Sequence, residues 1–126
     1  MALPDMIGYV AKDVKATLAF YRLLGLDIPE PEEGQSHVEV ITPNGYRLAW
    51  DSEEMIRQLI PDWQGAPGRI SVAFKCDSPA EVDALYARLT AAGYEGEREP
   101  WDAFWGQRYA VVKDPDGNGV DLFAPL

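Results

Sequence analysis

The sequence predicts an α+β fold in which two tandem βαβββ modules form a cleft-bearing curved mixed sheet, and three observations predict it. First, two turns repeat at a shift of 72 residues, pairing Pro43 with Pro115, Asn44 with Asp116 and Gly45 with Gly117. Second, two amphipathic helical stretches each follow a short apolar run and each end at a glycine. Third, each helical stretch is followed by two β-type runs flanking one of those turns, the pattern of a hairpin. The chain has 126 residues, 47% of them hydrophobic, which suits one domain over 1–126 with a real core. No Ser/Gly-rich linker or low-complexity tract divides it.

Module one spans about 1–52. "MIGYVAK" is its first strand. "DVKATLAFYRLLG" is its helix, with Asp13 as N-cap, Val14, Leu18, Tyr21 and Leu24 at helical spacing, and Gly25 as the stop. A strand is expected near "DIPEPEE". The hairpin is "HVEVI", the turn "TPNG" and "YRLAW", where Pro fixes φ and Gly accepts a positive one.

A bridging helix is expected at about 52–66: "DSEEMIRQLIPDW" has Ser52 as cap, Glu53 and Glu54 in an acidic first turn, and Pro61 as the stop. "GAPG" is the crossover into module two, about 67–126. There "RISVAFK" is the first strand. "SPAEVDALYARLTAAG" is the helix: Ser78 and Glu81 form a capping box, Pro79 takes the first position, Val82, Leu85 and Leu89 make the apolar stripe, and Gly93 ends it. A strand near "YEGERE" and the hairpin "RYAVVK", "DPDG", "NGVDLF" complete the repeat. A sheet covered by helices on one side leaves its other face open, and two such faces make a cleft.

Charge narrows the partners. The net charge is −10 and the pI is near 4.4, so nucleic acid and anionic membranes are disfavoured; the same field would attract cationic ligands, although the ordinary acidity of many cytoplasmic proteins explains it more simply. No apolar run reaches membrane-spanning length, and "MALPDMIGYV" has no basic start, so a cytoplasmic location is expected. The lone cysteine, Cys76 in "SVAFKCD", makes no internal disulfide and reads as a small packed residue.

The paired modules, "FYRLLGL", "WGQRY" and "DPDGNGVDLF" resemble the glyoxalase, bleomycin-resistance and extradiol-dioxygenase superfamily, the vicinal oxygen chelate proteins, over essentially the whole chain. The resemblance implies the fold more specifically than the function, because the superfamily holds isomerases, dioxygenases, thiol transferases and binding proteins. It also implies four metal-ligand positions, two on the first strands and two on the last. Here these fall near Met6 and Ser71, and at Ala49 and Asp121. Only Asp121 is a good donor, and a register slip that admitted Asp5 would add a second carboxylate but no imidazole. A metal cage needs more. No metal and no other cofactor are therefore expected.

The strand period of two places His37, Glu39 and Ile41 on the open face and Val38 and Val40 on the helix side. Symmetry about the turn pairs Glu39 with Ala49, Ile41 with Arg47 and His37 with Asp51. Three roles remain open for these polar groups: a relocated metal site of His37, Glu39 and Asp121, metal-free proton transfer by His37 or Glu39, or recognition of a polar ligand with pairing to Arg47. In module two the same symmetry pairs Val111 with Asp121 and Tyr109 with Phe123. "PWDAFWGQ" adds Trp101, Phe104 and Trp105 in or beside the preceding loop, flat surface for a ring or a cation. Trp50 alternates with Ala49 and belongs to the core. Met55 and Trp63 are candidates to roof the cleft.

Two functions remain. One is a metal-independent small-molecule-binding protein that sequesters a cationic or planar aromatic antibiotic, with no catalytic residue and with His37, Glu39, Arg47, Asp51, Trp101, Phe104, Trp105, Tyr109, Val111, Asp121 and Phe123 as ligand-binding residues. The other is an enzyme of the same superfamily, a metal-dependent lyase, isomerase or dioxygenase on a small oxygenated substrate. For either, the resemblance implies a homodimer, with an N-terminal strand exchanged about Pro4.

Overall fold

The computed structural model describes residue 1, residues 3–66 and residues 70–126. It divides into two compact units, Met1–Gly65 and Ala66–Leu126. The expected start of module two near 67, and Arg69 of its first apolar run, lie outside the described residues.

Unit 1 contains β1 (Ile7–Ala11), α1 (Val14–Leu23), β2 (His37–Ile41), β3 (Arg47–Ser52) and α2 (Glu53–Leu59). Its sheet has the order β1-β3-β2, with β1 parallel and β2 antiparallel to β3. Asp13 caps α1 by accepting from the Ala16 N–H at 3.1 Å, and Gly25 follows the helix at φ 100°, the left-handed conformation that a glycine supplies at least cost. Leu18 and Tyr21 are fully buried as the spacing predicts, while Val14 and Leu24 are only half-buried. Thr17 and Phe20 widen the buried face. The core is aromatic: Tyr9 stacks on Trp50 with ring centroids 5.5 Å apart, and Tyr21 packs against both.

The strand expected near "DIPEPEE" does not form. Pro29 and Pro31 have no N–H to give a ladder, and Arg22 takes the carbonyls instead, donating to Ile28 O and Pro29 O at 2.9 Å each. Module one is therefore βαββ followed by α2. That helix begins as expected, with Ser52 Oγ accepting from the Met55 N–H at 3.1 Å.

Unit 2 contains β4 (Ser71–Lys75), α3 (Pro79–Ala91), β5 (Gly96–Ala103), β6 (Gln107–Lys113) and β7 (Gly119–Pro125), in the sheet order β4-β7-β6-β5. This is the full βαβββ pattern, with β5 at the expected "YEGERE" run. On α3, Val82, Leu85 and Leu89 are buried, and the helix packs on β5, β6 and β7. Ser78 caps it, accepting from the Glu81 N–H at 3.2 Å. The Glu81 carboxylate departs from the expected box: it accepts from the Asp77 N–H, one residue before the cap. No helix among the described residues is long and apolar enough to cross a membrane.

The internal repeat holds at the level of hydrogen bonds. In unit 1 the Gly45 N–H donates to Thr42 O and the Thr42 N–H to Tyr46 O; in unit 2 the Gly117 N–H donates to Asp114 O and the Asp114 N–H to Asn118 O. Both glycines have positive φ, 90° and 84°.

Candidate functional site

In unit 1 the hairpin register places His37 opposite Asp51, Glu39 opposite Ala49 and Ile41 opposite Arg47, as symmetry about the turn predicts. Val38 and Trp50 are buried on the helix side. The other face carries a continuous chain of charge. His37 Nδ1 lies 2.5 Å from Asp51 Oδ1 and Nε2 lies 3.0 Å from Glu39 Oε2. Arg47 grips both oxygens of Glu39 through Nη2 and reaches Asp5 Oδ2 at 2.7 Å.

Each ring nitrogen of His37 faces a carboxylate, an arrangement satisfied only when both nitrogens carry protons. Hydrogen bonds to Glu39 and then Asp51 accordingly raise the pKa of His37 against a smaller opposing effect of burial. The same contacts, from His37 first and Arg47 second, lower the pKa of Glu39. Arg47 is raised by Glu39 and then Asp5. The two carboxylates favour the protonated ring, the form that can donate a proton, over the neutral form that would take one up.

In unit 2 the open face is aromatic. Val111 pairs with Asp121 and Tyr109 with Phe123, again as expected. Trp101 lies beside the loop rather than in it, within β5 and opposite Tyr109. Its ring is 5.4 Å from Tyr109 and 6.0 Å from Trp105, both edge to face. Trp105 is also edge-on to Tyr109 at 5.3 Å and to Phe104 at 5.1 Å. Phe123 extends the cluster, nearly parallel to Tyr109 at 6.3 Å.

Phe104 is 97% exposed and stands outside the packed part. The cluster gains a cation that the sequence reading missed, because Arg98 lies 3.5 Å from the Trp101 ring centroid. Two register shifts in β5, between Gly96 and Arg98 and between Arg98 and Trp101, break the alternation that would have revealed it.

Asp121 joins this wall to a hollow. Its Oδ2 accepts from the Tyr109 hydroxyl at 2.5 Å, and burial, with Asp121 second, pushes the Tyr109 pKa up to about 12. Asp121 also lines an open cavity of about 360 Å³ with Ile70, Ser71, Glu97, Val111, Lys113, Gly117 and Gly119. Met55 and Trp63 sit in unit 1 with contacts of their own: Ser36 Oγ donates to Met55 Sδ at 3.6 Å, and Arg57 lies 5.6 Å from the Trp63 ring centroid.

The donor set at the four metal positions does not fit a cation. β1 sets Gly8 beside Ala49, and β4 sets Ala73 beside Asp121. Met6 and Ser71 are two residues away from those neighbours. Whichever first-strand residue is taken, the set contains one carboxylate, and one of its oxygens is engaged by Tyr109. Among the described residues no three His, Cys, Asp or Glu side chains are grouped to hold a metal ion.

Similarity to known proteins agrees with the fold. No curated protein matches the chain. A glyoxalase/bleomycin resistance protein/dioxygenase from Nocardioides is 27% identical, with a TM-score of 0.74, over 100% of this chain and 86% of that one. A lactoylglutathione lyase from Agrobacterium tumefaciens is 26% identical, with a TM-score of 0.70, over 98% and 94%. A glyoxalase-related enzyme from Fulvimarina pelagi superposes with a TM-score of 0.84 at 21% identity, over 98% and 88%, a likeness of fold. Residues 4–122 match the family description Glyoxalase/Bleomycin resistance protein/Dioxygenase superfamily. With two repeats of matching hairpins and helices behind each sheet, the chain belongs to that superfamily.

Proposed function

We propose that this protein is a metal-independent binder of small molecules that carry a planar ring and a cationic group, sequestering such a compound as the bleomycin-resistance members of its superfamily do their drug. The observation that supports this reading is the open face of unit 2. Trp101, Trp105, Tyr109 and Phe123 stand there edge to face or nearly parallel, with the Asp121 carboxylate at their border. Ring faces attract planar ligands and cations, each good contact contributing roughly 0.5–2 kcal/mol. Sequestration needs affinity and shape but no reacting group, which suits a wall whose acid is engaged by a tyrosine.

Tryptophan fluorescence during titration with cationic and planar antibiotics tests the reading. Trp105→Ala should weaken the binding of such a compound by roughly two- to thirtyfold, the range those contact energies correspond to. Unchanged affinity in Trp105→Ala and Phe104→Ala together would remove the stacking wall.

A second reading, a metal-dependent lyase, isomerase or dioxygenase, draws on the 26% likeness to a lactoylglutathione lyase and on Asp121 at a superfamily ligand position. The donor set argues against it. Protein incubated with nickel, zinc, manganese or iron(II) and then desalted decides between the two: near-stoichiometric metal, lost in Asp121→Ala, would put the enzyme first.

A further inference from the structure

We infer that the unit 2 face reads its ligand in a fixed order along the strands, ring, then cation, then anion, so that the preferred compound is an aromatic body bearing a zwitterionic head of the α-amino-acid kind. The inference rests on the ligand-binding reading above and names the chemistry of that same site.

The order follows from the register. On β6, Tyr109, Val111 and Lys113 point to one face at intervals of two residues; on β7 their partners are Phe123, Asp121 and Gly119. Two residues of strand cover about 7 Å. Tyr109 and Phe123 thus make an aromatic row, Asp121 an acidic row next to it, and Lys113 a basic row beyond, with Ser71 opposite Gly119 from β4. Charged hydrogen bonds at two adjacent rows discriminate by sign, which stacking alone does not.

Room for the head comes from a contrast between the repeats. At the shift of 72 residues, Gly119 and Val111 correspond to Arg47 and Glu39. In unit 1 those two side chains fill the face with a bidentate ion pair. In unit 2 the same two positions hold no side chain and an apolar one, and the hollow of about 360 Å³ lies there. A Cβ on Gly119 would come within 3.2 Å of Ser71 Cβ, so the glycine keeps that wall back. The volume is within the range of small-molecule sites.

Both signs of charge line the hollow: Asp121 on β7 and Glu97 on β5 flank β6, the strand between them, which carries Lys113. Lys113 has only a long contact of 3.9 Å to the exposed Glu95, so its ammonium is available to a carboxylate. A purely cationic ligand would meet Lys113 as a like charge. A zwitterion satisfies both rows.

Calorimetric titration with three matched probes tests the order: phenethylamine offers ring and cation, 3-phenylpropionate ring and anion, and L-phenylalanine all three. L-Phenylalanine should bind at least about tenfold tighter than either other probe, the equivalent of one charged contact. Lys113→Gln should bring L-phenylalanine down to the level of phenethylamine and leave phenethylamine within twofold. Asp121→Asn should weaken both amines and spare 3-phenylpropionate. Lys113→Met serves as a second variant should Lys113→Gln fail to fold. If phenethylamine binds as tightly as L-phenylalanine, or Lys113→Gln leaves their ratio unchanged, the zwitterion order is wrong and the aromatic–cation reading survives. If none of the three probes binds, the zwitterion order is wrong, and the aromatic–cation reading stands or falls by the antibiotic titration alone.

Discussion

His37 Nδ1 lies 2.5 Å from Asp51 Oδ1 across the β2–β3 pair, and the opposite ring nitrogen meets Glu39. These contacts raise the folded-state pKa of His37 above its ordinary 6.5. A raised folded value means that the native state holds the proton more tightly than the unfolded chain does. The resulting stability is complete below about pH 6.5 and is lost as pH rises through the raised folded value. Thermal melts of wild type and His37→Gln should therefore differ most near pH 6 and converge at alkaline pH. A gap that stays constant from pH 6 to pH 9 would show that the paired imidazolium contributes nothing.

Trp50 is fully buried between Tyr9 and Tyr21, and its indole N–H has no hydrogen-bond partner among the described residues. A buried donor without a partner costs about 1–3 kcal/mol. Trp50→Ala removes the whole ring and should cost about 3–5 kcal/mol in urea denaturation. Trp50→Phe leaves an aromatic ring in the stack and also removes the unpaired donor, so it should cost clearly less. Equal losses in the two variants would mean that the ring Trp50→Phe retains does not restore the stack with Tyr9 and Tyr21, and would overturn this account of the site.

What was legible in the sequence was local. Asp13 and Ser78 announce their helices because a cap needs only its own side chain and the next turn of backbone. The pairs His37–Asp51 and Val111–Asp121 follow from symmetry about a turn whose Pro, Asn or Asp, and Gly are themselves readable. What was not legible depended on partners distant in sequence or on broken periods. Which side of the loop boundary Trp101 falls on, and Arg98 over its ring, stayed hidden because the irregularities in β5 interrupt the alternation of two. The chain at 27–33 reads as a strand until Arg22 is seen holding its carbonyls.

That clamp yields its own prediction. Arg22 is the cation that holds Ile28 O and Pro29 O, and it also pairs with Glu30 at 3.1 Å. Ile28, 4% exposed, is the residue anchored beneath it. Arg22→Ala should release the segment to protease at sites between Pro29 and Gln35 and cost roughly 1.5–3 kcal/mol, the range for hydrogen bonds to a charged group. Arg22→Lys should rescue only part, because one ammonium lacks the planar fork that meets two carbonyls. Unaltered proteolysis in Arg22→Ala would assign the anchoring to Ile28 alone.

The Tyr109 hydroxyl and Asp121 test whether the wall of unit 2 is built as a unit. The phenol is raised from its ordinary 10.0 to about 12, by burial first and by its hydrogen bond to Asp121 second. Asp121→Asn removes the negative charge but leaves the ring between Trp101, Trp105 and Phe123. The Tyr109 pKa should then fall only part of the way and stay above 10.0, because the larger cause, burial, persists. Titration of ring-labelled tyrosine by NMR, with Tyr109→Phe to assign the signal, checks this. Tyr109→Phe also frees the Asp121 oxygen while keeping the aromatic face, so a cationic aromatic ligand should bind Tyr109→Phe at least as tightly as wild type. A loss of affinity as large as that of Trp105→Ala would mean that the hydroxyl itself touches the ligand, and that Asp121 acts only by holding it.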